Sequence, residues 1–328
     1  MGHNAGHNSR QGEIVDLRKV SVRDLEPLLL DEIAEWRREL AWDFEPSAQL
    51  VRKFATTNTL GGAALIIDGE VAGYGYAVLE EPRGIIGDLY VRPHRREPRH
   101  EAELFRSLLD ALTETRNVRR MESQLMIPGP AAAALIREDN AARGRTVRLF
   151  ERRLLSRPAG EPLPAGDLRF GSRFRLAAWE DRFLHAASAV IAGSYQGETD
   201  SLINDQYRSP GGARKFLGNI VEFPGCGTFH RESSFLAFDH ESGEPAGMVL
   251  SSFVARESGH ISQLCVMPAA RGAGLGSELL GVATRALEAR GARTVGLTVT
   301  ATNRKAISVY SRFGFRDVRT FYAYIWEG

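Results

Sequence analysis

The stretch His260–Gly276, H-I-S-Q-L-C-V-M-P-A-A-R-G-A-G-L-G, decides how the rest of the chain is read. A run of strand formers ends at Pro268, which has no N–H and so closes a strand without extending its ladder. Gly272, Gly274 and Gly276 follow, and an amphipathic helix is expected from Ser277. Glycines let the backbone turn tightly and aim successive N–H groups into one concavity. The helix start adds unpaired N–H groups and the positive end of its dipole. Together these features make an anion site, most often one for phosphate. Arg271 brings a permanent positive charge to its mouth.

Beyond the turn, Leu279, Leu280, Ala283, Ala286 and Leu287 recur at helical spacing. Gly291 suits the residue just past the helix end. A strand is expected over Thr294–Thr300, and N-R-K-A-I-S-V-Y-S-R-F-G-F follows from Asn303. Asn303, Ala306, Ile307 and Tyr310 fall on one face of a second helix, because seven residues are close to two turns.

The patterns V-x-P-x-x-R-G-x-G-L-G and N-x-x-A-x-x-x-Y-x-x-x-G-F resemble those of the GNAT superfamily of acyl-CoA N-acyltransferases, over roughly residues 235–320. The resemblance implies that Arg271, Gly272, Ala273, Gly274, Leu275, Gly276 and Ser277 hold the CoA pyrophosphate. It implies that the strand at Leu264, Cys265 and Val266 splays from its neighbour. Its N–H groups would then meet the pantetheine arm and the acyl carbonyl. Asn303 and Ala306 would border the cofactor arm, and Tyr310 would lie near the CoA sulfur. Read without the resemblance, Asn303 is a helix cap, and Tyr310 is a core tyrosine beside Phe313 and Phe315.

The chain has 328 residues, room for two domains of ordinary size. Its 42 basic and 41 acidic residues exert no overall pull toward nucleic acid or an acidic membrane. No apolar run approaches a membrane span and no signal-peptide core is visible. Cys226 and Cys265 alone make no disulfide framework, so a reduced, cytoplasmic protein is expected, as monomer or homodimer. Cys226, between two glycines, reads as a small buried filler. The polar start, residues 1–12, reads as a disordered leader.

Taken in order, Ser21 and Asp24 resemble a capping box ahead of a helical stripe from Leu25 to Trp36. Ala63–Ile67, Asp68-Gly69 and Val71–Leu79 read as a hairpin. Ile85–Val91 is a strand, Leu104–Leu112 a helix face, Arg119–Met126 a strand, Ala131–Arg137 a short helix and Val147–Leu155 a strand. This order repeats: Asp88-Leu-Tyr-Val-Arg-Pro93 matches Gln263-Leu-Cys-Val-Met-Pro268, and ten residues after each proline comes Glu-Leu, at Glu103 and Glu278. The chain therefore reads as a tandem duplication. The expected fold class is α/β (α+β), two tandem GNAT-like domains, each a mixed, mostly antiparallel sheet flanked by helices. The tandem arrangement is similar to that of mycothiol synthases. The boundaries are drawn at 13–155 for the first domain, 156–167 for a proline-rich linker and 168–328 for the second. The first copy has R-E-P-R-H-E at 96–101 where the second has R-G-A-G-L-G, and it has no N-x-x-A-x-x-x-Y segment, so it reads as degenerate. In the second copy a helix is expected over Ala177–Ala192 and strands over Phe235–Phe238, Gly247–Val254 and His260–Val266.

The expected activity is transfer of an acyl group from acetyl-CoA to a primary amine of a small molecule, with no metal. The alternatives are acetylation of a protein N-terminus or lysine, and a non-catalytic acyl-CoA binder or sensor. Tyr310 would protonate the departing thiolate, and a backbone N–H around Leu264–Val266 would meet the oxyanion. A bulge at Leu264–Val266 would free those N–H groups. His260 is the first candidate for the base, on the expectation that it shares a strand face with Ser262 and Leu264. Glu222, in the irregular stretch expected near the acceptor, is the second.

Overall fold

The computed structural model describes residues 12–164, 173–222 and 227–328. Most of the expected leader, the end of the expected linker and Cys226 lie outside them. The chain forms two compact units. The first takes residues up to Ala34, Ala48–Leu149 and Phe321–Gly328, and the second takes Glu35–Ser47 and Phe150–Thr320.

The N-terminal half contributes β1 (Glu13–Asp16), α1 (Val22–Leu40), α2 (Glu45–Thr56), β2 (Gly62–Ile67), β3 (Glu70–Glu80) and β4 (Arg83–Val91). After these come α3 (Pro98–Glu114), β5 (Arg120–Leu125), α4 (Pro130–Ala142) and β6 (Val147–Pro158). The C-terminal half contributes β7 (Phe174–Ala178), α5 (Leu184–Ser194), α6 (Asp200–Ile203), α7 (Pro210–Glu222), β8 (Thr228–Phe229), β9 (Phe235–Asp239) and β10 (Pro245–Ala255). It continues through β11 (Ser258–Val266), α8 (Leu275–Ala289), β12 (Thr294–Thr300), α9 (Arg304–Arg312) and β13 (Arg316–Glu327).

Local chemistry starts and stops these elements as the sequence predicts. Ser21 Oγ donates to Asp24 Oδ2 at 2.6 Å and accepts from the Asp24 N–H at 3.2 Å, opening α1. Asp68 and Gly69 both have positive φ, 56° and 81°, the geometry a tight two-residue hairpin requires. Beyond α8, Ala292 N–H donates to the Leu287 carbonyl at 3.1 Å and Gly291 sits at φ 96°. One expected element differs. Ala177–Ala192 is not a single helix: Phe174–Ala178 pairs with β9, and Trp179 N–H extends that ladder to the Ser234 carbonyl at 2.8 Å. The helix begins only at Leu184.

In the first unit the strands run in the order β1, β2, β3, β4, β5, β13. In the second they run β6, β12, β11, β10, β9, β7, with β8 also paired to β10. Each sheet is antiparallel except for one parallel pair, β4 with β5 and β11 with β12. The compact units therefore differ from the boundaries drawn on the sequence. The chain's last strand enters the first sheet, pairing Tyr322–Glu327 with β5. In turn β6 pairs Arg152–Pro158 with β12, so Ser156, Arg157 and Pro158, expected to open the linker, are strand.

The duplication extends to details no motif records. Each parallel pair holds for four residues and then stops, at Ile86 with Ser123 in the first unit and at Ile261 with Leu297 in the second. Each middle strand skips one residue against its antiparallel neighbour, Gly87 in β4 and Ser262 in β11. Each has a glycine over which a helix leucine seats. A Cβ on Gly84 would lie 2.5 Å from Leu112 Cδ2, and one on Gly259 would lie 2.9 Å from Leu287 Cδ1. Leu287 belongs to the core formed by Leu275, Leu279, Leu280 and Ala283 against Val249, Ile261 and Val295. Gly259→Val therefore forces this helix off its sheet and should cost about 1–3 kcal/mol, as overpacked cores do. Urea unfolding of Gly259→Val against wild type checks this, and an unchanged midpoint would mean that α8 is not seated on Gly259.

Candidate active site

The bulge at Ser262 sets the geometry of the second unit. Without it, His260, Ser262 and Leu264 would share one face. With it, Ile261, Leu264 and Val266 all pack toward α8, while Cys265 packs on the opposite side with Met248, Leu250, Val190 and Ile191. The sequence-based expectation about the face of His260 is corrected accordingly, because one extra residue inverts the alternation. The irregularity also falls at Ser262, not at Leu264–Val266, which stay in register with Val249–Gly247 of β10.

Beyond Ile261 and Leu297 the two parallel strands part. Met267 N–H reaches the Ala246 carbonyl of β10 at 2.8 Å. Antiparallel ladders alternate, so Leu264 and Val266 turn their N–H groups the other way, to the edge that β12 has left. These are donors with no strand opposite them.

The glycine turn follows directly. Gly272 and Gly274 have φ of 80° and 82°, the left-handed region that favours glycine, and a Cβ at either would meet nothing within 4 Å. Backbone bonding resumes at Ser277 and Glu278, whose N–H groups both reach the Gly274 carbonyl, at 3.0 and 3.1 Å. Gly272, Ala273, Gly274, Leu275 and Gly276 precede that point and present the N–H groups of a helix start. Arg271 is used differently from the sequence expectation. Its guanidinium binds the Val266 carbonyl at 3.3 Å, the Ser194 carbonyl at 2.6 Å and Glu198 at 2.9 Å. In the first unit Arg96 holds the Val91 carbonyl in the same way, at 2.8 and 3.0 Å. There Glu101, 3% exposed in the first turn of α3, puts a carboxylate where the second unit has Gly276.

On the other wall, Asn303 accepts from Ala306 N–H at 3.1 Å and caps α9. Two turns on, Tyr310 is 8% exposed and packs beside Phe315. Burial raises its phenol above the ordinary value, with Asp200 adding to the rise, so the group is protonated at neutral pH. Cys265 is pushed up to about 12, chiefly by burial, and remains a thiol. Gln263 donates to the Tyr195 hydroxyl at 2.7 Å and accepts from Tyr207 at 3.3 Å, and those two rings stack at 4.6 Å.

Asp200 and Arg152 belong to this group; Asp200 lies in the irregular stretch expected near the acceptor, whereas nothing in the sequence marked Arg152. Arg152 donates to Asp200 Oδ1 at 3.0 Å, to Thr300 Oγ1 at 3.1 Å and to Thr298 Oγ1 at 3.3 Å. Thr300 Oγ1 also donates to Asp200 Oδ1, at 2.9 Å. Asp200 carried no motif, and Arg152 lies ahead of the expected linker, so no local signal could have joined them.

The two candidate bases lie apart from this group. His260 pairs with Gly296 on the half where the strands are still joined, roughly 15 Å along the strand from Cys265 at 3.3 Å per residue. Its ring lies 5.1 Å from that of Trp42 and borders a cavity of about 130 Å³ that also meets Arg38, Ser156 and Thr294. Glu222 is the exposed last residue of α7. Among the described residues no cluster of side chains could hold a metal ion, and no helix is long and apolar enough to cross a membrane.

Comparison with known proteins fits this geometry. Residues 200–315 match the Acetyltransferase (GNAT) family. A mycothiol acetyltransferase from Streptomyces avermitilis is 41% identical over 87 residues, which are 26% of this chain and 28% of that protein. The match thus spans under a third of that relative's length. A GCN5-related N-acetyltransferase from Sphaerobacter thermophilus has the same fold, with a TM-score of 0.67 at 17% identity over 96% of this chain and 95% of that one. A tandem GNAT protein from the clavulanic acid biosynthesis pathway superposes with a TM-score of 0.57 at 16% identity, covering 97% of this chain and 98% of that one.

His260 provides a test of the packing around the cavity. Burial lowers its pKa from 6.5 to about 4. Between those values the unfolded chain takes up a proton that the folded chain refuses, so stability falls as pH drops below 6.5. The expected loss between pH 7 and 5 is on the order of 2 kcal/mol. Urea unfolding at both pH values should show that His260→Leu loses this part of the acid sensitivity. An identical pH slope in variant and wild type would mean that the ring is solvated.

Proposed function

We propose, for a chain whose residues 200–315 are a GNAT acetyltransferase domain, that it moves the acetyl group of acetyl-CoA to a primary amine of a small molecule. The observation that carries this reading is the parting of β11 from β12 beside the glycine turn. In it the N–H groups of residues 272–276 hold the pyrophosphate, with Ser277 behind them. Arg271 keeps the turn in place through the Val266 carbonyl. The Leu264 and Val266 N–H groups take the pantetheine arm and the thioester oxygen, Cys265 between them packs as a thiol, and Asn303 and Ala306 border the arm.

The reaction then balances without a further reactant. The neutral amine attacks the thioester carbon, and the oxyanion that develops is met by a strand N–H. The carbon–sulfur bond breaks, the thiolate takes the Tyr310 proton, and the nitrogen's surplus proton restores the phenol. His260, neutral at working pH, keeps a lone pair for a proton, but at about 4 its basicity is poorly matched to an amine. Glu222, exposed at the end of α7, is given no role.

A small acceptor is favoured because Ser194–Asp200 is tied down on both sides, by Arg271 through Ser194 and Glu198 and by Arg152 and Thr300 through Asp200. A protein tail would need an open groove there. The name of the relative from Streptomyces avermitilis agrees with a small acceptor.

CoA release from acetyl-CoA should be seen with one or more of a panel of primary amines. Acetyl-CoA binding without release for any amine would favour a binder or sensor, and release only with lysine peptides would favour a protein acceptor. Gly274→Glu should abolish CoA binding with little change in melting temperature, and normal binding would put the cofactor elsewhere. Tyr310→Phe should lower kcat by roughly 10²–10⁴-fold at near-constant CoA affinity. An unaltered kcat at saturation would show that the thiolate leaves without this proton.

A further inference from the structure

Asp200 has one side-chain oxygen committed and one not. Its Oδ1 takes both the Arg152 and the Thr300 bonds, and Oδ2 takes neither. The side chain is 19% exposed, so it reaches solvent from a largely enclosed position. Thr300 ends β12 and its carbonyl receives the Asn303 N–H at 2.9 Å, which places Asp200 at the head of the helix that carries Tyr310. Arg152 also bonds Thr298 and Thr300, on the part of β12 beyond its pairing with β11, and Arg271, just past the end of β11, bonds Ser194 and Glu198, so Ser194–Asp200 lies beside the parted strands. Arg152 is itself 11% exposed, and its hydrogen-bonding contacts are Asp200 and two threonine hydroxyls, all internal to the second unit. An arginine committed in this way fixes a carboxylate's position more than it cancels its attraction for a second cation at the free oxygen.

We propose that Asp200 Oδ2 receives the ammonium of the acceptor, and that the acceptor is therefore a cationic primary amine bound on the α6 side of the cleft, away from the cavity at His260. This deepens the transferase reading above and rests on it. Asp200 thus does for substrate binding what neither candidate base is positioned to do. It draws the charged amine to the parted half of β11 and holds its nitrogen there until the ammonium gives one proton to water and attacks as the neutral amine. Arg152 is the positioning residue behind it, and it comes from β6, ahead of the linker, so the site is completed by a strand from the first half of the sequence.

The test is isothermal titration of the full chain saturated with CoA, using glucosamine hydrochloride and ethylammonium chloride as probes and glucose as the uncharged control. At least one ammonium probe should bind wild type, and Asp200→Asn should weaken it about 10–100-fold, the usual consequence of losing a charge-assisted hydrogen bond. Asp200→Glu should recover part of the affinity, and glucose should not distinguish the proteins. CoA affinity and melting temperature, measured in parallel, report whether Asp200→Asn is folded. Equal binding of an ammonium probe by wild type and a folded Asp200→Asn overturns the proposal, and so does failure of wild type to bind either probe. Failure of wild type to bind CoA overturns the transferase reading itself.

Discussion

The parting of two parallel strands is the constraint on which the second unit depends. β11 and β12 hydrogen-bond from Ser258 with Thr294 to Ile261 with Leu297 and then separate. Backbone donors left without a strand partner are costly unless water or a ligand satisfies them. The bulge at Ser262 makes the opening possible, since it adds local twist and changes which side chains face α8. The glycine turn and helix start present a second set of N–H groups, set off from the strand edge by Pro268 and by the bonded N–H groups of Met267, Ala270 and Arg271.

The first unit repeats much of this backbone geometry with different side chains at the turn. It keeps the four-residue parallel pair, the skipped residue and the leucine seated over a glycine. It even keeps the arginine that ties the strand-end carbonyl, Arg96 on Val91. What differs is the charge at the turn. Glu101 is buried at the start of α3, where the dipole and the free N–H groups would favour an incoming anion. A carboxylate at that point already uses the attraction that a phosphate would need.

Burial does different things to the groups of the second unit. It keeps the Tyr310 phenol and the Cys265 thiol protonated, and it keeps the His260 imidazole neutral. All three effects have one cause, the cost of a charge away from water. Tyr310 packs in the same core cluster as Leu264 and Val266. Asp200 is the contrasting case, a carboxylate whose position is set by a cation and a hydroxyl.

Much of this was legible in the sequence because it is local. Glycine at positive φ, a proline closing a strand, Asn303 capping α9 and the helical stripe from Leu279 to Leu287 are each dictated within a few residues. The duplication was legible for the same reason, as two six-residue stretches aligned on a proline. What only the tertiary structure decided is what depends on hydrogen bonds between distant segments. One unpaired residue at Ser262 inverts every side chain before it, and alternation in the sequence cannot show where a ladder slips. Strand exchange is equally silent. β6 was legible as a strand over Val147–Leu155, but only the edges available in the fold determine that Arg152–Pro158 joins β12 and Tyr322–Glu327 joins β5. For that reason Arg152 and Asp200, 48 residues apart, come together beside Tyr310 with no motif to announce them.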